Sequence, residues 1–292
     1  MTMRRAGALA FLLTAAAAVH PGRAAAQILQ QPQPQYTAAQ SFVPQAQYYL
    51  LTTDAFDARS LWVQPAGLTR RREASISALL TASHDSTTTV GQYGLTLASG
   101  GLGLGWQHDR LPNGGSVNAY AVGLAAGNPR VGIGADHRWY KGTNTHTGSW
   151  DIGGRYEALP TVELSLVWRD LGSPNINGGT INATMVPGAA LQLFNAHAQI
   201  GADWEIVTHG WNTSAVRIGA GVKLPMHLML NLRSEMDGSF NSRSFSIALG
   251  WNGNGARVVG FGTQQRGAAP DEVGLWGAAV STPLQRRRRF GG

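Results

Sequence analysis

The run Ser244-Phe245-Ser246-Ile247-Ala248-Leu249-Gly250-Trp251 places Phe, Ile, Leu and Trp at every second position, with only Ser, Ala and Gly between them. A two-residue repeat belongs to a β-strand whose two faces meet different surroundings. The same alternation recurs elsewhere. Val162, Leu164, Leu166 and Trp168 interleave with Glu163, Ser165, Val167 and Arg169. Ala198, Ile200, Ala202, Trp204 and Ile206 interleave with His197, Gln199, Gly201, Asp203 and Glu205, and Leu228, Leu230 and Leu232 with His227, Met229, Asn231 and Arg233.

Extended along the chain, this pattern predicts strands at 73–82, 88–98, 101–109, 116–126, 130–140, 147–157, 161–170, 183–193, 196–206, 212–222, 226–235, 242–251, 255–264 and 271–281. Fourteen is an even number, and each segment has about the 9–11 residues that cross a bilayer at a tilt near 45°. The connections are expected to alternate. Ser99-Gly100, Gly127–Pro129, Leu159-Pro160, Asn195, Leu224-Pro225 and Asn252–Asn254 read as tight turns. Arg110–Ser116, Lys141–His146, Asp170–Ala183, Met236–Asn241 and Gln265–Pro270 read as longer polar loops, the asymmetry of an outer-membrane barrel. The expected fold is all-β: a closed antiparallel transmembrane β-barrel of about fourteen strands with a short N-terminal helical plug. Closure has a physical cause, because in hydrocarbon a sheet satisfies all of its backbone N–H and C=O groups only when it has no edge.

Tryptophan placement supports this layout. With both termini at the periplasmic end, Trp106, Trp139, Trp168 and Trp204 finish upward strands, and Trp150 and Trp211 start downward ones. Amphipathic rings at one level suit a membrane interface. The opposite faces carry Asp109, Asp136, Arg138, Asp151, Arg155, Glu157, Glu163, Arg169, Asp203, Glu205, Arg217 and Arg233, which are expected to face the lumen. Neither sign dominates, so they read as the lining of a polar passage, as cross-strand ion pairs bracing the wall, or both; a strongly ion-selective ring would need one sign.

Composition removes several other functions. The 292 residues include 38 glycines and no cysteine, which excludes disulfides, thiol nucleophiles and Cys-ligated metals. The net charge of +7 is terminal. Arg4, Arg5 and Arg23 lie near the start and Arg286–Arg289 form a run near the end; without these seven of the 23 basic residues, 16 remain against 16 acidic ones. A neutral body is not a nucleic-acid surface. Gly101-Leu102-Gly103-Leu104-Gly105 and Gly132-Ile133-Gly134 fall inside alternating strands, with no following helix to bind a nucleotide. His84-Asp85-Ser86 brings triad residue types together, but neighbours on a strand point to opposite faces and no nucleophile elbow is present. No catalytic residue, metal site or cofactor is expected.

The N-terminal region divides into three. Residues 1–26 read as a signal peptide, with Arg4 and Arg5, the apolar stretch Ala8–Val19 and small residues at Ala24–Ala26. Residues 27–47, rich in Gln and Pro, read as a flexible segment, and 48–72 as a plug with a short helix and a turn at Pro65 and Gly67. The barrel then takes 73–281, and 282–292 form a basic periplasmic tail.

Within the plug, Leu61-Trp62-Val63-Gln64-Pro65-Ala66-Gly67-Leu68 resembles the Asn-Pro-Ala-Gly-Leu signature of FadL-type outer-membrane barrels, with Gln64 in the Asn position. That superfamily includes long-chain fatty-acid transporters and the PorV-like barrels of secretion systems. The resemblance implies a fourteen-stranded barrel with an N-terminal hatch, in which Trp62, Gln64, Pro65 and Gly67 form the plug. The combined expectation is a non-enzymatic barrel of the Gram-negative outer membrane, in contact with lipid, that admits a small polar or hydrophobic solute. A PorV-like scaffold for exported proteins and an outer-membrane hydrolase are the alternatives.

Overall fold

The computed structural model describes residues 50–69, 74–84, 88–110, 115–128, 130–253, 255–266 and 271–281. The leader, the Gln/Pro-rich segment and the basic tail expected from the sequence lie outside the described residues.

Fourteen strands close into one antiparallel barrel. The first seven are β1 (Ser75–His84), β2 (Thr88–Ser99), β3 (Leu102–Arg110), β4 (Ser116–Gly127), β5 (Val131–Gly142), β6 (Thr145–Leu159) and β7 (Val162–Leu171). A small hairpin, β8 (Asn175–Ile176) and β9 (Gly179–Thr180), stands outside the wall. The wall resumes with β10 (Thr184–Leu193), β11 (Ala198–Val207), β12 (Asn212–Lys223), β13 (Leu228–Met236), β14 (Ser242–Asn252), β15 (Ala256–Gln265) and β16 (Asp271–Val280). Each wall strand pairs with its neighbour, β7 with β10, and β1 with β16 from Ser75↔Val280 to His84↔Asp271. No wall strand is left with a free edge.

The two-residue repeat becomes an outside and an inside. Phe245, Ile247, Leu249 and Trp251 are exposed on the outer surface, whereas Ser244, Ser246 and Ala248 are buried. Trp106, Tyr120 and Trp139 are direct cross-strand partners on that outer face. His137 lies between Trp139 and Trp150, with ring centroids 4.4 Å from each. Trp168, Trp204 and Trp211 are exposed on the outside as well. Trp106 is half-buried by Tyr93 and donates its indole N–H to Asn118, a polar tether that suits a ring at an interface.

Two connections differ from the expected loops. Residues 141–146 contain only the two-residue turn Thr143-Asn144, with Asn144 at φ 48°, because β5 and β6 continue as polar strand ends. The stretch 170–183 is a loop that carries the β8–β9 hairpin. It turns inward, so that Ile176 and Ile181 are buried with Val117, Ala119 and Tyr140. Strands of two residues carry no period, and so leave no trace in the sequence.

Residues 50–69 lie inside the barrel. Ser60–Val63 form a single helical turn, α1, and Pro65–Thr69 a 3-10 turn. Pro65 opens the second turn, where its fixed φ fits and its missing N–H costs nothing. Gly67 packs on the Ala55 carbonyl, and a Cβ there would lie 2.6 Å from Ser60 Oγ, so only glycine lets the segment fold back on itself. The wall makes the same concession. A Cβ on Gly134 would come 2.7 Å from the Pro65 carbonyl carbon, and one on Gly123 would come 2.6 Å from Leu61 Cδ1. The inward glycines of β3–β5 are the space this segment occupies. We predict that Gly134→Leu displaces the segment at a cost of about 1–3 kcal/mol or more. Limited trypsinolysis checks it: buried Arg59 resists cleavage in the parent protein and becomes a cleavage site in the variant.

Candidate functional site

The site is the lumen, where residues 50–69 meet the inner wall. Apolar contacts hold two sides of the segment. Leu61, Trp62 and Leu68 pack with Ala119 and Ala121 of β4, and Leu50, Ala55 and Val63 pack with Ala248, Val259, Phe261, Trp276 and Ala278 of β14–β16. Polar contacts fill the gaps. Trp62 Nε1 donates to Thr96 Oγ1 at 2.9 Å. Gln64 Nε2 donates to the carbonyls of Gly154 (2.9 Å) and Leu166 (3.3 Å) on β6 and β7. The Thr52 amide and hydroxyl both donate to Asp203, at 2.9 and 2.7 Å. The segment therefore touches the wall on opposite sides of the barrel.

The inward charges sort into networks. Arg138 bonds Asp136 (2.9 Å) and Asp151 (2.6 Å), and its Nη2 also reaches the carbonyls of Leu61 and Trp62 at 3.4 Å. Arg155 faces Glu163 at 3.5 Å. Arg217 bridges Glu205 and Glu235, the latter at 2.8 Å. Arg169 lies 3.8 Å from Glu205 and donates to the Val63 carbonyl at 3.1 Å. Four arginines on the wall thus pair with inward carboxylates, and two of them, Arg138 and Arg169, also reach backbone carbonyls of the segment. Arg233 is also buried on β13, yet among the described residues it makes no hydrogen bond or ion pair.

The structure brings further residues into the lumen that the two-residue repeat does not single out. Asp57 and Arg59 pair at 2.6 Å, and the Arg59 guanidinium stacks 4.1 Å above the Trp276 ring, an inward tryptophan of β16. Burial works to raise the Asp57 carboxyl, but Arg59 outweighs it and holds Asp57 below its usual range. Burial pushes the Asp54 carboxyl up to about 6, opposed by the Leu51 amide and Gln199 and reinforced by Asp203. Glu235 shares its parity with Arg233, so its inward position was available from the repeat.

Beside the segment lies a cavity of about 300 Å³. Leu50, Leu51, Phe56, Val259 and Trp276 give it apolar walls, and Asp54, Gln199, Asn231 and Arg233 give it polar ones. It reaches the surface at His197, Lys223 and Asn252, at the end carrying the β10–β11, β12–β13 and β14–β15 turns.

These features define a closed fourteen-stranded antiparallel β-barrel with an internal segment crossing its lumen. Solved structures with this architecture include CymD, a monoaromatic hydrocarbon channel (11% identity, TM-score 0.57, aligned over 82% of this chain and 96% of that one). They also include two toluene transporters, TbuX of Ralstonia pickettii (12%, 0.53, 82% and 96%) and TodX of Pseudomonas putida (10%, 0.51, 76% and 93%). At these identities the likeness is one of fold. No family model and no curated protein matches the chain.

Two predictions follow from the networks. Arg138→Met strands Asp136 and Asp151 without a cation, and is expected to lower stability by about 3–5 kcal/mol in detergent, read by chemical unfolding. For Asp54, the folded carboxyl at about 6 against an ordinary 3.8 means that the folded state holds the extra proton between those values. Stability from this group therefore rises as pH falls from 7 through 6 toward 4. Asp54→Asn should flatten that part of the profile of melting temperature against pH, with Asp203, Arg233, Gln199 and Leu51 as the surrounding groups.

Proposed function

We propose that this protein is an outer-membrane channel that admits a small hydrophobic solute, with residues 48–72 acting as its plug. The observation that carries the reading is the inner segment itself, buried against opposite walls of the lumen with a solute-sized cavity at its side. A barrel that is filled in this way gives no wide aqueous path of the kind a porin needs. It can pass a compact solute if the segment yields or the solute moves along the cavity.

The outer surface supports a membrane address. A band of exposed Leu, Ile, Val and Phe with a row of Trp and Tyr along one rim is costly in water and favourable in lipid. Trp106, Trp139, Trp150, Trp168, Trp204 and Trp211 serve here as the interface aromatics. The shared architecture with channels described for monoaromatic hydrocarbons and toluene favours a hydrophobic cargo. In the same reading, residues 1–26 are the export signal, 27–47 the Gln/Pro-rich lead into the plug, and 282–292 a basic tail. Arg138, Arg169 and Asp203 hold the plug, and Arg233 lines what path remains.

Uptake tests the reading. Gram-negative cells expressing the chain should accumulate radiolabelled toluene several-fold faster than cells without it. Equal rates, with the barrel verified in the outer membrane, would overturn the assignment.

A further inference from the structure

Arg233 is a buried inward arginine that the bracing networks leave out. It is 6% exposed and projects from β13 into the lining of the cavity, and its Nε has no partner. The carboxylates of its surroundings are already engaged. Both Asp203 oxygens accept from Thr52, Glu235 accepts from Arg217, and Asp54 accepts from the Leu51 amide and Gln199. Asp203, Glu235 and Asp54 act on Arg233 only through space, and a buried guanidinium with no hydrogen bond of its own is an exception among folded proteins, where buried polar groups are normally satisfied.

The rest of the cavity says what would satisfy it. Arg59 and Asp57 in the lining pair with each other, and Arg257 also bears on Asp57, which leaves Arg233 and Lys223 facing Asp54. Lys223 stands exposed at the mouth, so positive charge runs from the surface inward to Arg233. The remaining walls are the apolar faces already described, and about 300 Å³ is at the small end for a ligand pocket.

We propose that this cavity is a binding site for a compact organic anion with an apolar body, whose negative group pairs with the Arg233 guanidinium while its ring or short chain lies against Phe56, Leu51 and Val259. The inference rests on the reading of the barrel as a solute passage and narrows the cargo of its inner end. Arg233 acts by charge-assisted hydrogen bonding, which a neutral hydrocarbon cannot accept.

Benzoate is the probe. Equilibrium dialysis of radiolabelled benzoate and of toluene against the intact protein in detergent separates the charged interaction from apolar contact. Benzoate should bind the parent protein, Arg233→Met should weaken it at least tenfold, Arg233→Lys should recover part of the loss, and toluene binding should stay within twofold throughout. The carboxylates near Arg233 keep their own donors without it, so Arg233→Met is expected to fold, as judged by the heat-dependent shift of a closed barrel on a gel. Should it not, Lys223→Gln at the exposed mouth is read instead, with a two- to threefold loss for benzoate alone. Absence of benzoate binding, or equal binding by parent and variant, overturns the site. Arg233-dependent benzoate binding in a protein that does not speed toluene uptake keeps the site and removes the hydrocarbon cargo, so the two failures are distinguishable.

Discussion

The interior of this barrel is organised by the approach of one short backbone segment to a wall that has had its side chains removed. Residues 50–69 run where inward Leu or Val would otherwise stand, and the wall yields at Gly123 and Gly134, where a Cβ would come within 2.7 Å of the segment. That contact has two consequences. The segment is packed at interior density on opposite sides, and dense interiors tolerate little added volume. Its turn at Pro65 and Gly67 is fixed from within and from without, because the same glycines that admit it also limit where it can lie.

Charge completes what packing begins. A short segment in a barrel leaves backbone carbonyls without helix or sheet partners, and these are groups that burial makes expensive. Arg138 and Arg169 reach from the wall to the carbonyls of Leu61, Trp62 and Val63, while Asp136, Asp151 and Glu205 hold those arginines in place. The mixed signs of the lumen make sense on this footing. Arg138 and Arg169 each join wall carboxylates to carbonyls of the segment, and Arg155 and Arg217 pair with carboxylates of adjacent strands, which is a fastening and not an electrostatic filter. Arg233 breaks the scheme and faces the cavity instead.

Much of this was legible beforehand. All fourteen wall strands fall close to their expected ranges because an apolar outer face and a polar interior impose a period of two over every segment. Parity alone put Asp136, Arg138, Asp151, Asp203 and Arg217 on the inner face. What parity does not contain is partnership across the lumen. Gly123 and Gly134 read as small inward residues, but nothing in their own strands says that Leu61 and Pro65 will fill the space. The stacking of Arg59 on Trp276 was illegible for the same reason, since it joins stretches more than two hundred residues apart. The turn at Thr143-Asn144 was hidden by strand ends that stay polar beyond the aromatic row, where the alternation that marks a strand fades.

The central claim is that residues 50–69 close the lumen. Single-channel recording in planar bilayers tests it most directly, comparing the intact barrel with one that lacks residues 50–69. The account predicts silence or rare brief openings from the intact protein and steady, ohmic conductance after the deletion, with heat-modifiable gel mobility showing that both are folded. Steady conductance of similar size from both proteins would contradict it, because the segment would then lie in the lumen without obstructing it.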